Sequence, residues 1–252
     1  HSAFSTPTEM LHFIAKLRDL SGGKPVGMKM CVGHPWEVFA IAKAMVETGE
    51  HPDFITIDGS EGGTGAAPAE FADHIGAPLR EGLMLVQNVL VGLGLRDKIR
   101  LVCSAKLISA FDMARVFALG AETCNMGRGY MFSLGCIQAQ TCHTGKCPTG
   151  VTSQDPGRYR ALDVEDKAAR VYKFHENTLK ALAETIGATG LSHPKDLKPD
   201  HLMIRINARE VRSARSQYDW VEPGELLDHN VAHPAFAKFW DMARADSFAA
   251  VV

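Results

Sequence analysis

Phe54-Ile-Thr-Ile-Asp58-Gly-Ser-Glu-Gly-Gly-Thr-Gly65-Ala-Ala-Pro68 is a short apolar, β-branched run that empties directly into glycines. A run of this kind reads as a strand buried on both faces, the habit of parallel sheets whose two sides are covered. Glycines directly after it let backbone N–H groups approach an anionic or planar ligand, which side chains would prevent. As a bare turn the loop would carry no chemistry, but its place at the end of a buried strand favours ligand contact at Gly62, Gly63, Thr64 and Gly65.

The same unit repeats on either side. Upstream, Thr6 as N-cap, Pro7 at the first helical position and Glu9 closing a capping box predict a helix. Gly22-Gly23 stops it, and a strand from Val26 to Cys31 leads to Pro35, which opens a helix running to Gly49. Downstream of the glycine loop come a short helical piece and a longer helix from about Leu79 to Leu95. A third strand, Ile99 to Cys103, follows, with Ser104-Ala105-Lys106 after it, and Ser109 with Asp112 caps the next helix. A fourth strand, about Glu122 to Met126, ends in Gly127-Arg128-Gly129. Strands alternating with helices predict a parallel sheet. Four units make either a small open sheet or half of an eight-stranded barrel, and the loop chemistry favours the barrel. Barrels carry their sites at the C-terminal strand ends and commonly hold phosphate in the loops after the last two strands. Lys106 and Arg128, each beside small residues, fit that place better than they fit a solvated surface. Lys29 lies inside the first strand, where an unpaired buried ammonium is expensive. It is therefore expected to point into a site, the alternative being an outward lysine on an edge strand.

After the fourth unit the chain reads Cys136-Ile-Gln-Ala-Gln-Thr-Cys142-His-Thr-Gly-Lys-Cys147-Pro-Thr-Gly150. Half of the chain's six cysteines crowd into this Gly- and Thr-rich loop, which has neither helical nor strand periodicity. Thiolates at such a spacing suit iron–sulfur clusters or zinc better than packing or a disulfide. Zinc would need a fourth ligand, His143 or Cys124, whereas a three-iron cluster needs only these three. Cys31, Cys103 and Cys124 fall in strand-like segments and are expected to be buried. Beyond Gln154, Asp163 caps a long amphipathic helix ended by Gly187, then come a basic segment from Arg205 to Arg215 and an amphipathic stretch near Phe236 to Met242. This divides the chain into residues 1–154, a barrel portion with its iron–sulfur loop at 136–147, and 155–252, a mostly helical appendage.

Composition narrows the function classes. The chain has 252 residues, 46% of them apolar and 22% charged, with a formal net charge of −2 and no basic run that could track a phosphate backbone. Nucleic acid is therefore a poor partner. No apolar run approaches the length that spans a bilayer, and free ligand thiols fit a reducing cytoplasm. The chain opens on His1 just ahead of a helix, which reads as an excerpt of something longer. No Ser/His/Asp arrangement, paired carboxylates or Walker-type loop is evident.

The run Ile57 to Pro68, taken together with Gly135-Cys136 and Cys142-His-Thr-Gly-Lys-Cys147-Pro-Thr-Gly150, resembles the FMN-binding domain of glutamate synthases. In particular it is similar to the shorter, stand-alone glutamate synthase-like flavoproteins, over about residues 1–200. The resemblance implies the C-terminal half of a TIM (β/α)8 barrel, with FMN at its C-terminal mouth and a [3Fe-4S] cluster on Cys136, Cys142 and Cys147. It implies that Gly62 to Gly65 line the flavin, that Ser104, Ala105, Lys106, Gly127, Arg128 and Gly129 hold its phosphate, and that Lys29 lies near the flavin ring as the catalytic cation. The implied reaction reduces 2-iminoglutarate, from 2-oxoglutarate and ammonia, to glutamate, with electrons from a donor such as ferredoxin or a reductase. Ala105 departs from the glycine usual at its position, and the family's glutamine amidotransferase domain and early barrel strands are absent from these residues. A second possibility is a cluster-bearing electron-transfer or assembly module that completes its barrel with a partner segment or as a homo-oligomer.

Overall fold

Thr6 opens α1 (Pro7–Leu20) as the sequence predicts: its Oγ1 accepts from the Glu9 N–H at 3.1 Å, while the Glu9 carboxylate accepts from the Thr6 N–H at 3.3 Å. The computed structural model describes residues 1–251 apart from Thr64, Ala66, Ala69 and 228–232. After α1 come β1 (Met28–Met30), α2 (Pro35–Thr48), β2 (Phe54–Asp58), α3 (Leu79–Gly92), β3 (Arg100–Ser104), α4 (Ala110–Ala118), β4 (Thr123–Asn125) and α5 (Gly127–Leu134). The four strands pair in parallel in chain order, β1-β2-β3-β4. Each crossover therefore moves one strand along in the same direction, and crossovers of one hand put the helices on one face.

Strand periodicity sorts the residues between the two faces. Ile55, Ile57, Leu101 and Cys103 are at most 2% exposed, and a Cβ on Gly82 of α3 would meet Ile57 Cγ2 at 3.3 Å, so this is the helix-covered face. The alternate positions become polar toward the C-terminal strand ends: Lys29 pairs in register with Thr56, and Asp58 with Ser104, which pairs with Asn125. An apolar side under helices and a polar side at the strand ends is the division that positions the site.

Beyond the cysteine loop come α6 (Pro156–Tyr159), α7 (Val164–Ala188), β5 (Met203–Arg205), β6 (Val211–Ser213), α8 (Ala214–Gln217) and α9 (Pro234–Met242). Asp163 caps α7 as expected, accepting from the Asp166 N–H at 2.8 Å. The basic segment forms an antiparallel hairpin, β5 with β6, that its composition does not announce. α7 packs on α4 and α5, and α9 packs on α2. There Phe39, fully buried, meets the rings of Phe236, Phe239 and Trp240 at 6.1, 6.4 and 6.1 Å. Asn88 of α3 reaches the same C-terminal stretch, donating to Asp219 O at 2.9 Å and accepting from the Val221 N–H at 3.1 Å. Leu182, Ile186, Leu226 and Phe236 join one buried cluster with the sheet and its helices.

Three expectations are corrected. Gly127 to Gly129 form the first turn of α5, not a loop. The piece after Pro68 is a set of turns, not a helix, among the described residues. Cys31 is exposed, because it follows β1 at the point where the chain leaves the sheet, while Cys103 is buried and Cys124 half-buried. No helix among the described residues is long and apolar enough to cross a membrane.

Candidate functional site

The ends of β1 and β2 bring Lys29 to Asp58, with Lys29 Nζ 2.7 Å from Asp58 Oδ2. Lys29 is not buried: 53% of its side chain is exposed, on the polar face of the sheet. Burial therefore does not hold the lysine, which stands toward the strand ends balanced by Asp58, a carboxylate that no local spacing announces.

The glycine loop folds back over these residues. Its first turn closes with the Gly62 N–H donating to Gly59 O at 2.9 Å, and Glu61 ties it to α3 by accepting from the Leu79 N–H at 2.9 Å. A Cβ on Gly62 would lie 2.5 Å from Asp58 Oδ1 and 3.2 Å from Ala105 Cβ. A side chain at Gly62 would have to push the Asp58 carboxylate aside, because packing draws the loops after β2 and β3 together there. Gly63 has φ +129°, open to glycine and strained for other residues. Thr64 lies outside the described residues. Gly65 faces the cysteine loop: a Cβ there would be 3.6 Å from Cys142 Cβ.

After β3 the backbone is strained. Ala105 has φ +136° and Lys106 φ +44°, where an L residue is held at a cost of order 1–3 kcal/mol. Lys106 Nζ donates to Asp73 Oδ1 at 2.6 Å. This carboxylate comes from the far end of the glycine-loop segment, and no local spacing could have announced it. After β4, α5 starts with Gly127, around which there is open space where a Cβ would stand. Arg128 is half-buried and makes no ion pair among the described residues. Gly129, by contrast, is buried against α7, and a Cβ there would meet Phe174 Cζ at 2.9 Å. Of the predicted phosphate-holding residues, Ser104, Lys106, Gly127 and Arg128 remain accessible to a ligand at the strand ends, and Gly129 serves helix packing.

Gly135, in the left-handed conformation at φ +106°, turns the chain out of α5 into the cysteine loop, which contains a single 3-10 turn at Cys142–Thr144. Cys136, Cys142 and Cys147 line one cleft together with Met131, Thr149 and Thr152. Burial pushes the Cys147 thiol up, but the hydroxyl and N–H groups of Thr149 and Thr152 that bear on the sulfur outweigh it and bring it down to about 6. Such a sulfur is ready to ligate as thiolate. His143 is exposed, and Cys124 pairs in register with Cys103 on the helix-covered face, where burial holds it up at about 11. Among the described residues no three His, Cys, Asp or Glu side chains gather around a single metal-ion position. A multi-iron cluster spreads its thiolate ligands over several metals, so one cleft lined by three cysteines fits it better than it fits a single ion.

Residues 1–192 match the family model described as the conserved region in glutamate synthase. The glutamate synthase large subunit-like protein YerD of Bacillus subtilis is 45% identical over 202 residues, 80% of this chain and 38% of that protein. The archaeal-type glutamate synthase [NADPH] of Thermotoga neapolitana is 34% identical over 182 residues, 72% of this chain and 35% of that one. Among solved structures, a doubly substituted flavocytochrome b2 with sulfite bound aligns with a TM-score of 0.46 at 14% identity, over 87% of this chain and 44% of that one. The chain thus spans little more than a third of the length of the curated relatives it matches.

Proposed function

The chain belongs to the glutamate synthase family, and from that premise we propose that it is part of an FMN- and iron–sulfur-dependent oxidoreductase reducing 2-iminoglutarate, from 2-oxoglutarate plus ammonia, to glutamate. Its four parallel strands in chain order, with helices on one face and polar residues at the strand ends, support reading residues 1–154 as the C-terminal half of a (β/α)8 barrel. Residues 155–252 are the appendage laid against it. A cytoplasmic setting suits ligand thiols that must stay reduced.

The observation that carries the reading is the meeting of two loops. Gly65 of the glycine loop abuts Cys142, whose loop lines one cleft with all three candidate ligands. Gly127 leaves room for a planar or phosphorylated group, and Arg128 supplies positive charge there together with Lys29 and Lys106, which are each paired with a carboxylate. FMN, when bound, supplies hydride transfer; the chain's residues bind it, orient it and hold charge near it. Lys29 is the cation assigned to the flavin ring, and Asp58 orients its ammonium. Ser104, Ala105, Lys106, Gly127, Arg128 and Gly129 are assigned to the phosphate, the buried Ala105 and Gly129 through backbone groups alone. Electrons come from a donor such as ferredoxin or a reductase.

Anaerobic purification, a visible spectrum and an iron, sulfide and flavin count test the proposal. A flavin spectrum with iron and acid-labile sulfide near 3:4 is expected; zinc without iron or sulfide sinks it. One feature favours a second reading: β1 and β4 each pair on one side only among the described strands, leaving two edges to bond with other chain. On that reading the chain is a cluster-bearing module that completes its barrel with a partner segment, and a flavin-free brown oligomer on size exclusion would favour it.

A further inference from the structure

Oγ1 of Thr152 is buried and completes no hydrogen bond among the described residues, although Thr152 lines the cleft shared by the three cysteines. A buried hydroxyl without a completed hydrogen bond costs about 1–3 kcal/mol, so this one, which bears on the Cys147 sulfur without completing a bond to it, calls for a further acceptor in the cleft. Thr149 stands beside it, its Oγ1 3.4 Å from Cys147 Sγ. Two hydroxyls thus converge on one corner of the cleft, at the most buried of its three thiols.

Resting on the cluster reading above, we propose that Thr149 and Thr152 donate hydrogen bonds to the sulfur atoms at the Cys147 corner of the cluster and thereby set its reduction potential. Reduction adds one electron from the donor; no bond to Cys147 forms or breaks, and the hydroxyl protons stay on their oxygens. The added charge spreads onto sulfur, so a donor aimed there stabilises the reduced state more than the oxidised one and raises the potential. A purely packing role would need only the shape of threonine, which valine shares.

The test is a potentiometric titration of the anaerobically purified full-length protein, with dithionite as reductant and electron paramagnetic resonance as readout. The wild type is compared with Thr152→Val, Thr149→Val, the double variant and Thr152→Ser. The expected result is a more negative midpoint in each valine variant, the largest shift in the double, and a return toward wild type in Thr152→Ser. Valine variants with full iron and sulfide and an unchanged midpoint overturn the proposal. Should Thr152→Val lose its cluster, the midpoint of Thr149→Val decides alone, and equality with wild type counts against the hydrogen bonds. A wild type that carries no iron or sulfide sinks the underlying cluster reading instead, a result distinct from an unshifted potential.

Discussion

Ala105 sits at the hinge between the loops after β2 and β3, nearly buried and with φ +136°. Replacing it with glycine removes a methyl worth about 0.8 kcal/mol of burial and adds unfolded-state freedom worth about 0.4–1 kcal/mol, but relieves strain of order 1–3 kcal/mol. Ala105→Gly is therefore expected to fall between a loss of about 0.8 and a gain of about 1.8 kcal/mol. The same change at Ala114, buried within α4, should cost about 1–2 kcal/mol, because a helical glycine adds its own penalty. Urea denaturation of both variants checks the contrast, and equal losses would refute the strain. Lys29→Met should slow flavin reduction far more than it lowers the unfolding midpoint, since the lysine is half exposed and contributes little to packing. Stopped-flow traces that match wild type would remove Lys29 from the site. At this scale the sequence singles out residues that break their local pattern, Lys29 within a strand and the cysteines within a loop. It is silent on Asp73, Thr152 and the strain at Ala105, since each is defined by a neighbour or a dihedral that spacing does not encode.

α4 shows what an element owes to its first turn. Asp112 closes a capping box with Ser109 and accepts from the Ser109 N–H at 2.9 Å and the Ile108 N–H at 3.2 Å, with Arg115 Nη2 at 2.8 Å. Burial pushes its carboxyl up, but these hydrogen bonds and the guanidinium outweigh it and hold the group below its ordinary range. A depressed folded value means that the stabilisation is present above the unfolded value, about 3.9, and is lost as pH falls through the folded one. Asp112→Ala should cost about 1–2 kcal/mol at pH 7, and the gap to wild type should narrow below about pH 4. A gap constant from pH 7 to pH 3 would contradict the charge's part in it. α5 offers a second contrast, because its two glycines have opposite surroundings. Gly127→Ala meets open space and should be neutral or mildly stabilising while weakening flavin retention; Gly129→Val must displace Phe174 and should cost about 2–3 kcal/mol. Flavin content and thermal unfolding of the pair check both halves. Helix starts at Thr6, Ser109 and Asp163 were legible because a cap is a local chemical event. The opening of α5 was not, since its first turn of Gly-Arg-Gly carries no capping side chain and its reason to be helical lies in α7.

Across the whole molecule, one buried cluster runs from the sheet through α7 to α9. The boundary at 154/155 is thus a change of sequence pattern rather than a seam in the core, and the chain is expected to unfold in a single step. Trp36 reports on the first part and Trp220 and Trp240 on the second, so fluorescence and circular dichroism should give coincident transitions; two separated midpoints would show independent units. Phe39→Ala, which empties the pocket among Phe236, Phe239 and Trp240, should lower that single midpoint through a loss of about 3–5 kcal/mol of unfolding free energy. The parallel sheet was legible from the alternation of apolar runs and helix signals, and the hairpin β5–β6 was not, because its basic, largely exposed strands lack the two-residue alternation of a buried face. Agreement between strand order and chain order also bears on biosynthesis. Each of β2, β3 and β4, on leaving the ribosome, finds its hydrogen-bonding neighbour already made, so the sheet can zip up vectorially behind the growing chain without waiting for a distant strand.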